Sequence, residues 1–594
     1  GPIFSILCDT STFKKCKFSN KNQNGFVINS TEWTSQTNFF DNCTFEEING
    51  VAILIGSGEN YFDQCYFLNN QNKQDEKASS IHAFGSTSLY IMSSHFIGNS
   101  GTTNGGSIYI NANDVEVVEC TFENNICNDL IGDVNSSFSK GGALFIEKVS
   151  SISLSNCHFT ANKASMAGGA IYIEYSQSPF DVKFSDCYFI DCSSSSAGGA
   201  VMILGGSSFF NDCYFMNCKA MSGGAIYCKN ETVSSSADDE TNITNCIFEH
   251  CSGFYGGCVF SCSQKFVLYK CVFEENKDDF SYDGNLSSSY SIRQYTHSFL
   301  CLNIEGSSSD PIISDCTFSQ NELHVIDIDV SSTLRMTNCL LDNYSNNNLL
   351  ELSYIVSRGT DEGNVFSGCV FQNCGRKAVF GDKHNHTFIN CTFQNNVNKD
   401  YYGPGGLQIH DRGQFSIFDS KFINNTGNSN GGALIVDSEN IRELDNLTFI
   451  NNSVVRDESK GHKAQDFGGA LYVAQNFFPT EIKIITIRNC YFESNHAMVC
   501  GGGIYANFVD VTNSTDPYYN IPIIIENCTF ISCWTTYKGG GIGSGMAYDI
   551  EQPGWVNGDI VIDECYFEGC YAKYGGGIFS HDGTRIGDEE TNIT

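Results

Sequence analysis

Gly198-Gly199-Ala200-Val201-Met202-Ile203, followed by Asp212-Cys213-Tyr214-Phe215-Met216-Asn217-Cys218 and then Gly223-Gly224, is one full turn of a repeat. Twenty-five residues separate one glycine pair from the next. Between them lie two signals: a glycine pair opening a short apolar run, and a Cys-x-Phe-x-x-Asn/Cys cluster. Along the chain the Cys-x-Phe site or its substitute recurs nineteen times, from Cys16 to Cys565, about every 30 residues. Phe fills the second position in eighteen copies, with Leu341 the exception, and Asn or Cys stands three residues later in sixteen. Self-similarity at such a period is the mark of a solenoid, in which each repeat buries its apolar face only against its neighbours.

Side-chain parity gives the path of one coil. The residue before the Cys position is Asn, Asp or Gly in thirteen copies, among them Asn156, Asp186 and Asp212. Upstream, apolar residues alternate, as in Ile152 and Leu154 or Val182 and Phe184, and they share the parity of the Asn/Asp rather than of the Cys. A strand has period two, so one buried face cannot run straight through that junction. The chain must bend there, and Asn, Asp and Gly tolerate the left-handed conformation a bend requires. Twelve glycine pairs open the remaining strand; the position after the following small residue is aliphatic in eleven, Gln408 being the outlier, and the next is aromatic in eight. Parity leaves open which of those two faces inward. Gly25-Phe26-Val27-Ile28 and Gly50-Val51-Ala52-Ile53 read as degenerate versions of the same strand. The expectation is an all-β right-handed parallel β-helix of about 19 coils, three short strands each, with corners at the Asn/Asp, at the Asn/Cys and in a loop. Stacked coils put like on like, as interior ladders of Phe and Cys.

The domain expectation is one continuous β-helix over 1–594 that starts and ends in mid-coil. Glu590-Thr591-Asn592-Ile593-Thr594 repeats Glu240-Thr241-Asn242-Ile243-Thr244, which leads into Cys246, and so reads as the first half of a further coil. The expected partners are therefore the chain itself, end to end, or further coils of the same protein. Polar inserts at about 126–139, 230–241, 277–297, 344–364, 453–467, 507–520 and 546–558 read as surface loops.

Composition narrows the function. The formal charge is −34, from 67 acids against 33 bases, which argues against nucleic acid and anionic membrane surfaces. Fifteen Asn-x-Ser/Thr sequons lean towards the secreted pathway. The candidate glycosylation sites are Asn29, Asn135, Asn230, Asn242, Asn285, Asn343, Asn385, Asn424, Asn446, Asn451 and Asn513, of which Asn135, Asn230, Asn285 and Asn513 fall in inserts. The 29 cysteines cannot all pair within one chain. Repeat-locked cysteines serve equally as small buried hydrophobes. Candidates for inter-coil disulfides are Cys187, Cys192, Cys213, Cys218, Cys246 and Cys251, because adjacent coils approach the Cα separation a disulfide needs.

Gly-Gly-Ala-Ile/Leu/Val paired with Phe-x-x-Asn, as in Gly168-Gly169-Ala170-Ile171 with Phe159-Thr160-Ala161-Asn162, resembles the double motif of polymorphic membrane protein repeats. That family comprises bacterial autotransporter adhesins and similar surface proteins of protists. The resemblance runs over nearly the whole chain and implies a right-handed parallel β-helix with a cell-surface role in adhesion or coat formation. No autotransporter barrel is recognised in this sequence, and the many sequons fit a secreted, eukaryotic, protist-like member.

The leading expectation is an extracellular structural or adhesive glycoprotein, without cofactor or metal, touching glycans or host surface molecules. A carbohydrate- or host-binding module is the alternative. A polysaccharide lyase or glycoside hydrolase on the same scaffold is the chief rival, since such sites need paired carboxylates or acids around calcium. Asp327 and Asp329, two apart on a strand, are the best catalytic pair, but no Gly-His-Gly or Arg-Ile-Lys element of the pectinase type accompanies them. His384, His386 and His410 could approach over neighbouring coils, though scattered surface histidines are the plainer reading. Cys258 and Cys262 lack zinc spacing.

Overall fold

The computed structural model describes the chain except residues 1–3, 7–8, 22–27, 31–35, 74–77, 129–138, 175–179, 230–238, 255, 277–299, 306–310, 322–323, 330–332, 343–349, 353–362, 376–377, 383–384, 399–402, 411–414, 429, 438–440, 456–465, 475–483, 508–522, 546–559, 581–583, 587–591 and 594. It divides into two compact units, Gly1–Pro311 and Ile312–Thr594. Each is a stack of parallel coils.

One coil shows the plan. After Gly168-Gly169 comes a Gly-Gly strand, Ile171–Glu174, then a pre-corner strand, Asp181–Ser185, then a Cys-Phe strand, Tyr188–Ile190. Each pairs in parallel and in register with its counterpart in the next coil: Ile171 with Val201, Val182 with Ser208, Phe189 with Phe215. All nineteen sequence-marked Cys-Phe sites are strands, ten in the first unit and nine in the second. Among the described residues, eight coils add a two-residue fourth strand, such as Lys163–Ala164 and Ser193–Ser194 in the first unit or His496–Ala497 in the second. Ile28, Ile53, Ile81 and Ile108 align rung on rung, so the degenerate early copies do belong to the Gly-Gly strand.

The corner before Cys is where parity put it. Asn156, Asp186, Asp212 and Asn245 all have φ between 53° and 54°, and even Lys15, Glu119 and Lys270 are held in the left-handed region there. The second corner lies one residue earlier than expected. Ala161, Asp191 and Asn217 carry the positive φ, whereas Asn162, Cys192 and Cys218 are fully buried. Asn and Cys at that site are thus interior rungs rather than turn residues.

The interior is built from two aromatic columns. In the first unit the rings of Phe18, Phe45, Phe67, Phe96, Phe122, Phe159, Phe189, Phe215, Phe248 and Phe273 stack in sequence with centroids 4.6–4.9 Å apart. In the second, Phe371 to Phe567 do the same at 4.7–4.9 Å. Pre-corner rings meet these edge-on, as Phe184 meets Phe189 at 6.1 Å and 71°. Such ring pairs contribute about 0.5–1.5 kcal/mol each beyond simple burial.

Parity could not orient the Gly-Gly strand because both its faces are covered. The aliphatic position points in, with Ile171 and Val201 fully buried, yet Tyr172 on the other face is only 2% exposed. Met166 and Ala167 return over it and, with Phe145, Tyr172 and Leu204, form a second, outer core. Phe467, Tyr472, Cys500 and Tyr505 form its equivalent in the second unit. The glycine pair follows from this return. Gly168 has φ +61° and turns the chain, while a Cβ on Gly169 would lie 2.0 Å from the carbonyl oxygen of Gly199 in the next coil. The Gln408 exception also dissolves: Leu407 pairs with Leu434 and is the aliphatic rung of its coil.

At the end of the second unit the expected assignment needs correcting. Thr584–Ile586 pairs with Ile560–Ile562 as the pre-corner strand, and Asn592-Ile593 pairs with Tyr566-Phe567 as a Cys-Phe rung, so Asn592-Ile593 is not the counterpart of Asn242-Ile243. The inserts are narrower than the sequence indicated, since Ile126–Cys127 and Ser453–Val454 are coil strands. Most of the remaining insert residues lie outside the described residues.

Candidate functional site

Residue types able to do chemistry concentrate in two interior columns and two exterior rows. The first interior column is the Asn/Cys position. Asn125 Nδ2 donates to Phe96 O (2.9 Å) and to Asn162 Oδ1 (3.0 Å), and Asn125 Oδ1 accepts from the backbone N and the Nδ2 of Asn99 at 3.1 Å each. Asn70, Asn99, Asn125 and Asn162 form one such ladder, and Asn396, Asn425, Asn452 and Asn495 another in the second unit. Asn70, Asn99 and Asn125 each use both amide hydrogens, which is what burial of an amide demands. Cysteine takes the same place with a weaker version of the same bond: Cys192 Sγ lies 3.4 Å from Phe159 O, as Asn162 Nδ2 lies 2.8 Å from Phe122 O.

The second column is the Cys-Phe position. Cys187 Sγ sits 3.3 Å from Ser185 O and 3.5 Å from Leu154 O, against carbonyls exposed by the corner. Ser94 fills the site with the same geometry, accepting from the Cys65 N–H at 3.0 Å and donating to Met92 O at 2.8 Å. Leu447 fills it with no polar atom and is 1% exposed. A column that accepts Ser and Leu is defined by size and hydrogen bonding, not by thiol chemistry. Cys187, Cys213 and Cys246 are in-register neighbours here, as are Cys192, Cys218 and Cys251 in the Asn/Cys column, and all six are free, buried thiols. Burial pushes the Cys218 and Cys246 thiols well above their ordinary value and the Cys228 thiol up to about 11.

The other sequence candidates are scattered among the described residues or lie outside them. Asp327 and Asp329 lie on the Gly-Gly strand His324–Asp329, and their side chains are outside the described residues. His386 is not on the surface; it is 1% exposed in a pre-corner column, its Nδ1 3.4 Å from Asn364 Nδ2. His410 ends a Gly-Gly strand, in a different column, paired with Asp382. His384 lies outside the described residues, as do Asn135, Asn230, Asn285, Asn343 and Asn513. Cys258 is buried in the core, and Cys262 is half-buried. Among the described residues no group of three or more His, Cys, Asp or Glu is placed to hold a metal ion. No described helix is long and apolar enough to cross a membrane.

The exterior carries aromatic stacks that sequence reading missed. Phe39, Tyr61 and Tyr90 stack at 5.0 and 4.7 Å, and His496 and Trp534 at 4.6 Å. Register alone could have revealed them, as each set occupies the same outward rung. The rings lie face to face along the direction of stacking, so they cover one another's faces and offer solvent their edges. A sugar-binding platform needs the faces.

The exposed corners hold several sequon asparagines. Asn446 and Asn451 have φ of 55° and Asn424 of 54°, and their side chains link neighbouring coils, Asn451 Nδ2 to Asn424 Oδ1 at 2.9 Å. Asn242 lies on the outer side of the pre-corner strand Glu240–Thr244, bonded to Glu240 at 3.0 Å. Asn385 is half-buried beside His386, and Asn29 lies on the strand Ile28–Ser30.

Comparison with known proteins agrees with this geometry. The model of the right-handed β-helix region matches residues 3–189, 169–354 and 301–478. The Chlamydia polymorphic membrane protein repeat matches residues 489–507, which hold Phe492-Glu493-Ser494-Asn495 and Gly501-Gly502-Gly503-Ile504. No curated protein and no solved structure matches the chain. With in-register parallel coils in both units and a family model covering most of its length, the chain belongs to the right-handed β-helix family.

Proposed function

We propose that this chain is a non-catalytic, extracellular structural or adhesive glycoprotein of a cell surface, its coils running as one β-helix through 1–594. The observation that carries the reading is the occupancy of the Cys column. Residues that a sequence scan would single out for chemistry stand where Ser94, Ser420 and Leu447 serve equally well, so they support stacking and nothing further. The Chlamydia polymorphic membrane protein repeat, from a family of surface proteins, supports the location. The acidic surface supports contact with glycans or host surface molecules over contact with nucleic acid. A dedicated sugar-binding module is not favoured, because the exposed rings described above stack on one another.

The test is labelling of intact source cells with a membrane-impermeant amine-reactive biotin. Exposed lysines such as Lys14 and Lys183 are accessible to it. The chain is expected in the biotinylated fraction. Recovery only after lysis, with a soluble internal marker, would overturn the proposal.

A further inference from the structure

The sequons gain a pattern when the corners of the second unit are laid out coil by coil. The corner before the Cys position is occupied in succession by Asn390, Asp419, Asn446, Asn489, Asn527 and Glu564, with φ between 48° and 55°. Backbone bonds fix the succession: Asn390 N to Phe418 O, Asp419 N to Asp445 O, Asn446 N to Arg488 O and Asn489 N to Glu526 O. Asn390, Asn446 and Asn527 are exposed, and each is followed two residues later by a threonine, Thr392, Thr448 and Thr529. The intervening corners cannot accept a glycan, since Asp419 has no amide and Asn489 is followed by Cys490-Tyr491.

Corner geometry also places the hydroxyl. The residue after the corner and the Phe point inward and are buried, so the threonine between them faces out. The corner amides are held in a row: Asn446 Nδ2 donates to Asp419 Oδ1 at 2.6 Å and Asn527 Nδ2 to Asn489 Oδ1 at 2.8 Å. An amide nitrogen carries two hydrogens, so each can be substituted once and still hold its neighbour.

We infer that Asn390, Asn446 and Asn527 are N-glycosylation sites, and that their glycans form a single row on alternate coils, about 10 Å apart at two strand spacings. The inference rests on the extracellular reading. In the transfer, Nδ2 forms a bond to the anomeric carbon of a lipid-diphosphate-linked oligosaccharide. The bond from that carbon to the diphosphate oxygen breaks, the lipid diphosphate leaves, and Nδ2 loses one of its two protons. Asn424 and Asn451 make the contrast. They sit on adjacent coils, one spacing apart, with Ser453 8% exposed, so a glycan on one crowds out a glycan on the other.

The experiment is enzymatic deglycosylation, in heavy-oxygen water, of the full chain isolated from the cells that make it, followed by peptide mapping. Occupied asparagines become heavy-oxygen aspartates. Label at Asn390, Asn446 and Asn527 is the expected result. Label confined to other sequons, such as Asn135 and Asn230, would overturn the row while leaving the extracellular reading intact. Label at none of the fifteen sequons would overturn both. Thr448→Ala, which spares the Asn446 corner bond, should remove one glycan's mass and leave amide exchange of the coil unchanged. An unchanged mass would count against the site.

Discussion

Replacing Asn125 by leucine isolates the interior amide ladder. The substitution takes a hydrogen bond from four buried groups: the backbone N–H of Asn99, the Asn99 side-chain amide, the Phe96 carbonyl and Asn162 Oδ1, of which only the last keeps a bond from the backbone N–H of residue 125 in its place. An abandoned buried group costs about 1–3 kcal/mol, so the gross loss is about 3–9 kcal/mol, reduced by the burial of an extra apolar side chain. Asn125→Cys should cost far less, about 1–2 kcal/mol, because a thiol in this column reaches the same carbonyl, as Cys192 reaches Phe159 O at 3.4 Å. Solenoid coils open locally, so the readout is native-state amide exchange of residues 95–100 and 121–126. Leucine should speed exchange there by about a hundredfold or more and cysteine by about tenfold, at 1.4 kcal/mol per tenfold. If leucine proves no more disruptive than cysteine, the ladder is not what holds these coils in register.

Further expectations follow from the same structure. Gly169→Ala drives a Cβ onto backbone of two neighbouring segments, at 2.0 Å from Gly199 O and 2.6 Å from Ser193 N, so it should cost about 3 kcal/mol or more. Gly569→Ala, at φ +60° with its nearest atom 3.4 Å away, should show only the left-handed strain of about 1–2 kcal/mol; equal losses by thermal unfolding would contradict the clash argument. Tyr172→Ala removes a ring stacked 5.3 Å from Phe145, with Lys140 Nζ 4.6 Å above it, and should raise exchange of residues 163–169 while leaving the Phe159 rung protected. Burial holds the Cys228 and Cys500 thiols up, to about 11 and about 12, from 9.0. Their contribution is therefore complete below pH 9 and is lost as pH rises through those values, so a Cys228→Ala, Cys500→Ala variant should lose less melting temperature between pH 9 and pH 11 than the parent.

The coil path was legible in the sequence because the corner before Cys rests on a backbone preference. Asn and Asp enter the left-handed region readily, and the parity break across Asp186–Cys187 admits no straight strand. The second corner was not legible, because its left-handed residue can be Ala161, Asp191 or His250, which share no propensity. Asn162 and Cys192 drew the eye instead, since an asparagine that bonds as an interior rung looks, in sequence, like one that turns the chain. The orientation of Ile171 and Tyr172 was hidden for another reason: a strand buried on both faces has no polar side to betray it. Among the candidate sites, the repeat spacing put Cys187, Cys213 and Cys246 on adjacent rungs because they share one register position, whereas nothing in the spacing of His386 and His410 showed that they fall in separate columns.

The most direct test of the claim that the recurring residues are architecture is native alkylation of the chain, read peptide by peptide. Cys16, Cys262 and Cys570, the half-buried thiols among the described residues, should react within minutes, while the buried columns, Cys157, Cys187, Cys213 and Cys246 among them, react only after unfolding. Rapid native labelling of Cys187 or Cys213 would show that the columns are reactive sites rather than buried architecture.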